Sequence, residues 1–197
     1  MKHCLVLIAA VAAVAALAGC NKSPQVDAKN ASVAEVAQKV REANAGGTFV
    51  NPGKWQSKVT IDAFEVPGMP PEFAARMKSR MAQMQERTFE TCLTKEEAKR
   101  PNEDFFAGRG SACRYDHFTM GDGKIDAQMR CGGTDGATQV MTMVGTYAPD
   151  SYNMQMAMSR QGGRNVAAGT TMKMRIESHR VGECTGNEMN AKDNVGQ

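Results

Sequence analysis

Apolar positions follow three rhythms along this chain, and each rhythm predicts a different kind of structure. Residues 4–17 are continuously apolar. Val33, Val36, Ala37 and Val40 then fall at helical spacing, with Ser32 and Glu35 in the places of a capping box and Gly46-Gly47 as the stop. From Gly53 the period drops to two: Trp55, Val59 and Ile61 alternate with Lys54, Lys58, Thr60 and Asp62, as in a strand with one wet face. Pro67, Pro70 and Pro71 end that strand, and Pro70 or Pro71 is placed to open a helix running to about residue 86, with Phe73, Met77, Met81 and Met84 on one stripe.

The remainder reads as short strands joined by turns. Residues 88–93 form a strand, and Thr94 with Glu97 caps a short helix that ends before Pro101. Residues 112–120 and 124–131 flank Asp122-Gly123, the strongest short signal for a type I′ hairpin. Residues 138–147 and 152–160 flank a second turn at Ala148-Pro149-Asp150-Ser151, and residues 170–181 close the series. The expected fold is mainly β in the α+β class. It is a curved antiparallel sheet or partial barrel of about six to seven strands with two or three short flanking helices.

The apolar start has its own meaning. Lys2, the apolar run and the small residues that follow describe a secretory leader too short to span a bilayer as a stable helix. Leu17-Ala18-Gly19-Cys20 resembles the lipobox of bacterial lipoproteins. That resemblance implies cleavage before Cys20 and covalent lipid on its sulfur and amine; beyond that lipid no cofactor is expected. Several acyl chains on one residue would make the anchor effectively permanent, at roughly 0.8 kcal/mol per buried methylene. Asn21 stands where an Asp would resemble an inner-membrane retention signal, so the expected location is the periplasmic leaflet of the outer membrane. The resulting plan is a signal peptide over 1–19, a flexible tether over 20–31, an amphipathic helix over 32–46, an antiparallel β domain over 53–185 and a disordered tail over 186–197.

Charge narrows the partners. Without the leader, 178 residues remain, enough for one core, with 23 basic against 21 acidic side chains. A balance of +2 with no basic run leaves no nucleic-acid footprint. The expected partners are the membrane, through the anchor, and an envelope protein or apolar ligand.

With Cys4 removed and Cys20 lipidated, Cys92, Cys113, Cys131 and Cys184 form an even set in an oxidising compartment, which reads as two disulfides. A two-residue Asp122-Gly123 loop pairs Gly121 with Lys124. Strict alternation then puts Cys113, Tyr115 and His117 on the face opposite Cys131. That register favours Cys92 with Cys113 and Cys131 with Cys184. A three-residue loop would shift it by one and set Cys113 across from Cys131.

The landmarks come in order: Pro52-Gly53-Lys54-Trp55, Val66-Pro67-Gly68-Met69-Pro70, Thr91-Cys92-Leu93-Thr94-Lys95-Glu96-Glu97-Ala98, Cys113, Cys131, and Ser178 through Cys184. Over roughly 53–184 this arrangement resembles the proteobacterial family known as domain of unknown function 3617. The resemblance implies small exported proteins, often lipoproteins, without an established activity or catalytic residues.

Methionine is the compositional oddity, at 15 of 197 residues. Met141 and Met143, Met154, Met156 and Met158, and Met172 and Met174 each set thioethers on one strand face. Such sulfur suits Cu(I) or Ag(I), and it equally suits an adaptable core or the lining of a site for a lipid or fatty acid. An enzyme is not expected. After the leader only His117 and His179 remain, and Asp116 and His117, as strand neighbours, point to opposite faces.

Overall fold

The computed structural model describes residues 25–85, 88–99, 112–133, 135–163, 168–186 and 188–190. The leader, Cys20 and residues 191–197 of the expected tail lie outside them. Among the described residues no helix is long and apolar enough to cross a membrane.

Nine strands form one sheet: β1 (Val26–Ser32), β2 (Gly53–Glu65), β3 (Thr88–Leu93), β4 (Ala112–Gly121), β5 (Lys124–Gly132), β6 (Thr138–Ala148), β7 (Ser151–Gln161), β8 (Thr171–Gly182) and β9 (Met189–Asn190). Their order is β1-β4-β5-β6-β7-β8-β2-β3-β9. Eight strands are antiparallel to their neighbours, β9 adds a short parallel edge, and the sheet is not closed. The mainly β class holds, with α1 (Val33–Ala43), α2 (Pro71–Gln85) and α3 (Lys95–Lys99) as the α-helices among the described residues.

The expectation of a flexible tether reaching residue 31 needs correction. Residues 26–32 are β1, paired antiparallel with β4, and Val26, Ala28 and Ala31 are buried. The polar residues between them read as a linker, yet buried apolar residues at 26, 28 and 31, with the period broken once at Asn30, are what an edge strand looks like when one face is covered. The tail is likewise corrected at its start, because Met189 and Asn190 pair with Thr91 and Cys92 of β3.

The chain turns from β1 directly into α1 through the expected capping box. The Glu35 backbone N–H donates to Ser32 Oγ at 3.2 Å, and the Ser32 N–H donates to Glu35 Oε2 at 2.6 Å. This exchange satisfies two donors that the first turn would otherwise leave open, and it holds the Glu35 carboxyl below its ordinary range. Val36, Ala37 and Val40 then lie buried against β1, β4 and β5, where Tyr115 and Phe118 meet edge-to-face at 5.3 Å. The core is therefore concentrated under α1, at one side of the sheet.

The disulfide pairing expected from register is overturned. Cys92 joins Cys184, and Cys113 joins Cys131 across β4 and β5 with Cα atoms 4.1 Å apart. The two-residue turn forms as read, with Asp122 at φ 49° and Gly123 at φ 72°, and Gly121 pairs Lys124. The shift comes later, from a bulge between Tyr115 and His117 that leaves Asp116 without a partner in the ladder. One extra residue moves Tyr115 and Cys113 to the face of Phe118, Met129 and Cys131.

Candidate functional site

Register places the methionines in continuous cross-strand rows on one face of the sheet. The first row runs Ala31, Tyr115, Met129, Met141, Met158, Met172 and Phe64, in the order of strands β1-β4-β5-β6-β7-β8-β2. The second runs Ala28, Phe118, Ala127, Met143, Met156, Met174 and Ile61. The third runs Val26, Met120, Ile125, Gly145, Met154, Ile176 and Val59. Directly opposed side chains in such rows stand about 5 Å apart, close enough to form one apolar surface.

Three-residue steps keep the rows in phase. In β4 the apolar positions step from Tyr115 to Phe118 and in β2 from Ile61 to Phe64 at bulges, where two residues is the rule, and β1 makes a matching step from Ala28 to Ala31 across Asn30. At each of the two bulges the extra residue is an aspartate. Asp116 accepts hydrogen bonds from Gln128 Nε2 at 2.5 Å and Arg130 Nε at 2.7 Å, and Asp62 is gripped by Arg175 at 2.9 to 3.2 Å. Partial burial works to raise the Asp116 pKa, but the bonds from Gln128 and Arg130 outweigh it and hold the carboxyl below its usual range. The Asp62 contact correspondingly pushes the Arg175 guanidinium up.

The two halves of this face differ in cover. On β1, β4 and β5 the rows lie beneath α1, and Phe118, Ala127 and Met129 are almost fully buried. On β6, β7, β8 and β2 the same rows are half-buried: all seven methionines named in the sequence, with Ile176, Val59, Ile61 and Phe64, keep part of their surface open. The void where the covered half meets β6, bounded by Tyr115, Ala127, Met129, Met141 and Met143, is about 10 Å³, far below the size of a ligand site.

Polar and aromatic groups mark the two ends of the open half. At one end Gln139 donates to Met158 Sδ at 3.6 Å, and Arg160 pairs with Asp135 at 2.5 Å. The Asp135 carboxyl is held low first by the Ala137 N–H and then, against burial, by Arg160. At the other end Tyr147 packs on Phe49, Tyr152 lies 5.5 Å from the Trp55 ring, and Ser57 and Ser178 share a 2.7 Å hydrogen bond. The Tyr147 hydroxyl is pushed up chiefly by burial, and the Tyr115 hydroxyl is pushed to about 12 by the same cause.

The histidines stand apart from these rows. His117 Nε2 lies 2.9 Å from Asp126 Oδ1 on the opposite face, and the bulge corrects the expected alternation by turning Asp116 to that same face, where it is held by Gln128 and Arg130. His179 is exposed on β8. Among the described residues no group of three or more His, Cys, Asp or Glu side chains is placed to hold a metal ion. A second concavity, of about 540 Å³, lies between β1 and α1 and is lined by polar side chains such as Lys29, Glu35, Gln38 and Glu42.

The spacing of the methionines in the sequence sets those of each strand on one face, and the structure keeps them there, opposing Met141 to Met158 and Met143 to Met156. Sequence reasoning missed how far the rows extend. The three-residue steps at Tyr115–Phe118 and Ile61–Phe64 were the available signal, because a break in period two inside an apolar strand marks a bulge.

A family model for a protein of unknown function (DUF3617) matches residues 50–184. Neither a curated protein nor a solved structure matches.

Proposed function

The chain belongs to the family of proteins of unknown function DUF3617, and from that premise we propose that it is a lipid-anchored envelope protein whose half-open methionine face holds an apolar chain. One observation carries this reading. Three in-register rows continue from the core beneath α1 onto β6, β7, β8 and β2, where the same face is only half-buried. A hydrophobic surface continuous with the core would release water on covering, at roughly 25 cal/mol per Å² of apolar area.

The chemistry of the face fits an acyl chain. Its rows present thioethers and aliphatic groups without a charge among them, and unbranched methionine adapts to a guest of variable length. Arg160 and Gln139 stand at one end and the tyrosines at the other, where a polar head could meet water. Cys20, six residues before β1, would keep this face beside the membrane that supplies such chains.

A second reading draws support from the same register. Met141, Met158 and Met172 are opposed on adjacent strands, as are Met143, Met156 and Met174, so each set could offer three soft sulfurs to Cu(I) or Ag(I).

Native mass spectrometry of the protein gently released from its own envelope separates the readings. The acyl reading expects a co-purifying lipid mass that is lost in a Met156→Lys, Met174→Lys variant retaining both disulfides. A clean apo mass overturns it. In the same preparation, anaerobic Cu(I) titration against a competing chelator would support the metal reading by tight, methionine-dependent uptake, and micromolar or weaker binding would exclude it.

A further inference from the structure

Helix α2 packs only lightly on the sheet. Its principal neighbour is β2, and every described side chain from Pro71 to Arg80 is exposed. The expected apolar stripe is open over its first two members: Phe73 is 56 % exposed and Met77 36 %, while Met81, one turn further on, is half-buried. The side chain of Met84, the fourth member of the stripe, lies outside the described residues.

Charge is arranged around that stripe rather than across the helix from it. At 100° per residue, Arg76 and Arg80 flank the line of Phe73 and Met77 on one side and Lys78 flanks it on the other. The Arg76 guanidinium lies 5.0 Å from the centre of the Phe73 ring. Glu72 is the single acid of the helix and sits in its first turn. Among the described residues none of the three cations enters an ion pair, although arginines elsewhere in the sheet do. An apolar stripe edged by long cationic side chains is the form of a helix that lies in a membrane interface, with its stripe in the acyl boundary and its cations among anionic headgroups.

We propose that α2 docks the folded domain onto an anionic bilayer surface. The proposal gains reach from the anchor at Cys20, and to that extent rests on the reading above. Six residue steps separate Cys20 from Val26, a span of at most about 20 Å, so an anchored domain stays within contact of the bilayer. Each cation near such a surface strengthens partitioning about fivefold, which makes three worth roughly a hundredfold.

The test uses the full acylated chain carrying Phe73→Trp, with the signal of buried Trp55 subtracted from the parent protein. In vesicles of three parts phosphatidylglycerol to seven parts phosphatidylcholine, the introduced indole should shift to the blue and be quenched by lipids brominated on the acyl chains. Adding Arg76→Glu and Arg80→Glu should remove most of the quenching while leaving both disulfides intact. An indole that stays at its water-exposed wavelength in those vesicles overturns the proposal. So does emission already shifted without vesicles, which would place the stripe on this chain's own sheet or on a second copy. Intact mass reports acylation of Cys20 separately. In a Cys20→Ser chain bulk association should fall, but the vesicle-bound fraction should show the same quenching. Failure of the anchor is thereby distinguished from failure of the helix.

Discussion

Gly145 is the one position in the third apolar row without a side chain, and Met154 of the neighbouring strand fills the space. A Cβ at Gly145 would press on the Asn153 carbonyl oxygen and on Met154 Sδ at 2.5 Å. The carbonyl belongs to the paired backbone and cannot swing away, so the strands themselves would have to part. Gly145→Ala should therefore destabilise the protein by about 1–3 kcal/mol, as overpacking does. Urea unfolding should show this as a lower midpoint at unchanged slope, and a change within error of zero would refute the close packing. Asp116 and Asp62 act at the same scale. Each adds one residue to a strand and meets an arginine from the strand beside it, Arg130 and Arg175. These contacts are partly exposed and worth at most about 1 kcal/mol apiece. Their larger effect is geometric, because one extra residue re-aims every side chain beyond it. The lesson of Cys113 lies here: the Asp122-Gly123 turn was legible, whereas a bulge that begins six residues earlier is visible only as a phase break.

At the scale of elements, β1 and α1 form a unit because strand end and helix cap share Ser32. The helix was readable from its capping box and apolar spacing, both local signals. The strand was not, since Val26, Ala28 and Ala31 gain their meaning only when α1 folds back over β4. The segment after Cys184 shows a comparable local lock. Glu188 accepts the Thr185 hydroxyl at 2.7 Å, the Thr185 N–H at 2.9 Å and the Gly186 N–H at 2.9 Å, which places β9 beside β3. The Thr185 bonds, side chain first and backbone second, lower the Glu188 pKa to about 2 from 4.5. A depressed carboxylate contributes stability that is complete above its unfolded pKa and is lost as the folded group protonates. Melting temperature should thus fall between about pH 4.5 and 2 more steeply in the parent than in Glu188→Gln, which lacks that proton linkage. Parallel profiles for the two proteins would show that Glu188 bonds equally well when neutral.

Across the whole molecule the disulfides divide the sheet into two stapled regions. Cys113–Cys131 closes 18 residues within a hairpin that β4 and β5 already hold together, while Cys92–Cys184 closes 92 residues and ties β3 to the end of β8. Chain-entropy arguments give about 3.2 kcal/mol for the shorter loop and about 4.6 kcal/mol for the longer. Replacing Cys92 and Cys184 together by alanine should cost more in urea than replacing Cys113 and Cys131. Non-reduced peptide mapping should recover these two pairs, and recovery of Cys92 joined to Cys113 would contradict the register of the whole sheet. The core is equally asymmetric. Helix α1 covers one side of a face whose rows run on half-buried, and α2 projects a second apolar stripe, open at Phe73 and Met77 and flanked by cations.

Composition, period and local turn chemistry determined by themselves that the chain is mainly β, where α1 begins, where the hairpins reverse, and that four cysteines form two bonds. These features depend on neighbours within a few residues, so the chain states them directly. Tertiary structure alone decided which cysteines meet, that 26–32 is a strand, and that the methionine pairs of β6 and β7 belong to rows crossing the entire sheet. Those outcomes depend on pairing between distant segments, where a single bulged residue changes the face of all that follows and burial is conferred by an element elsewhere in the chain.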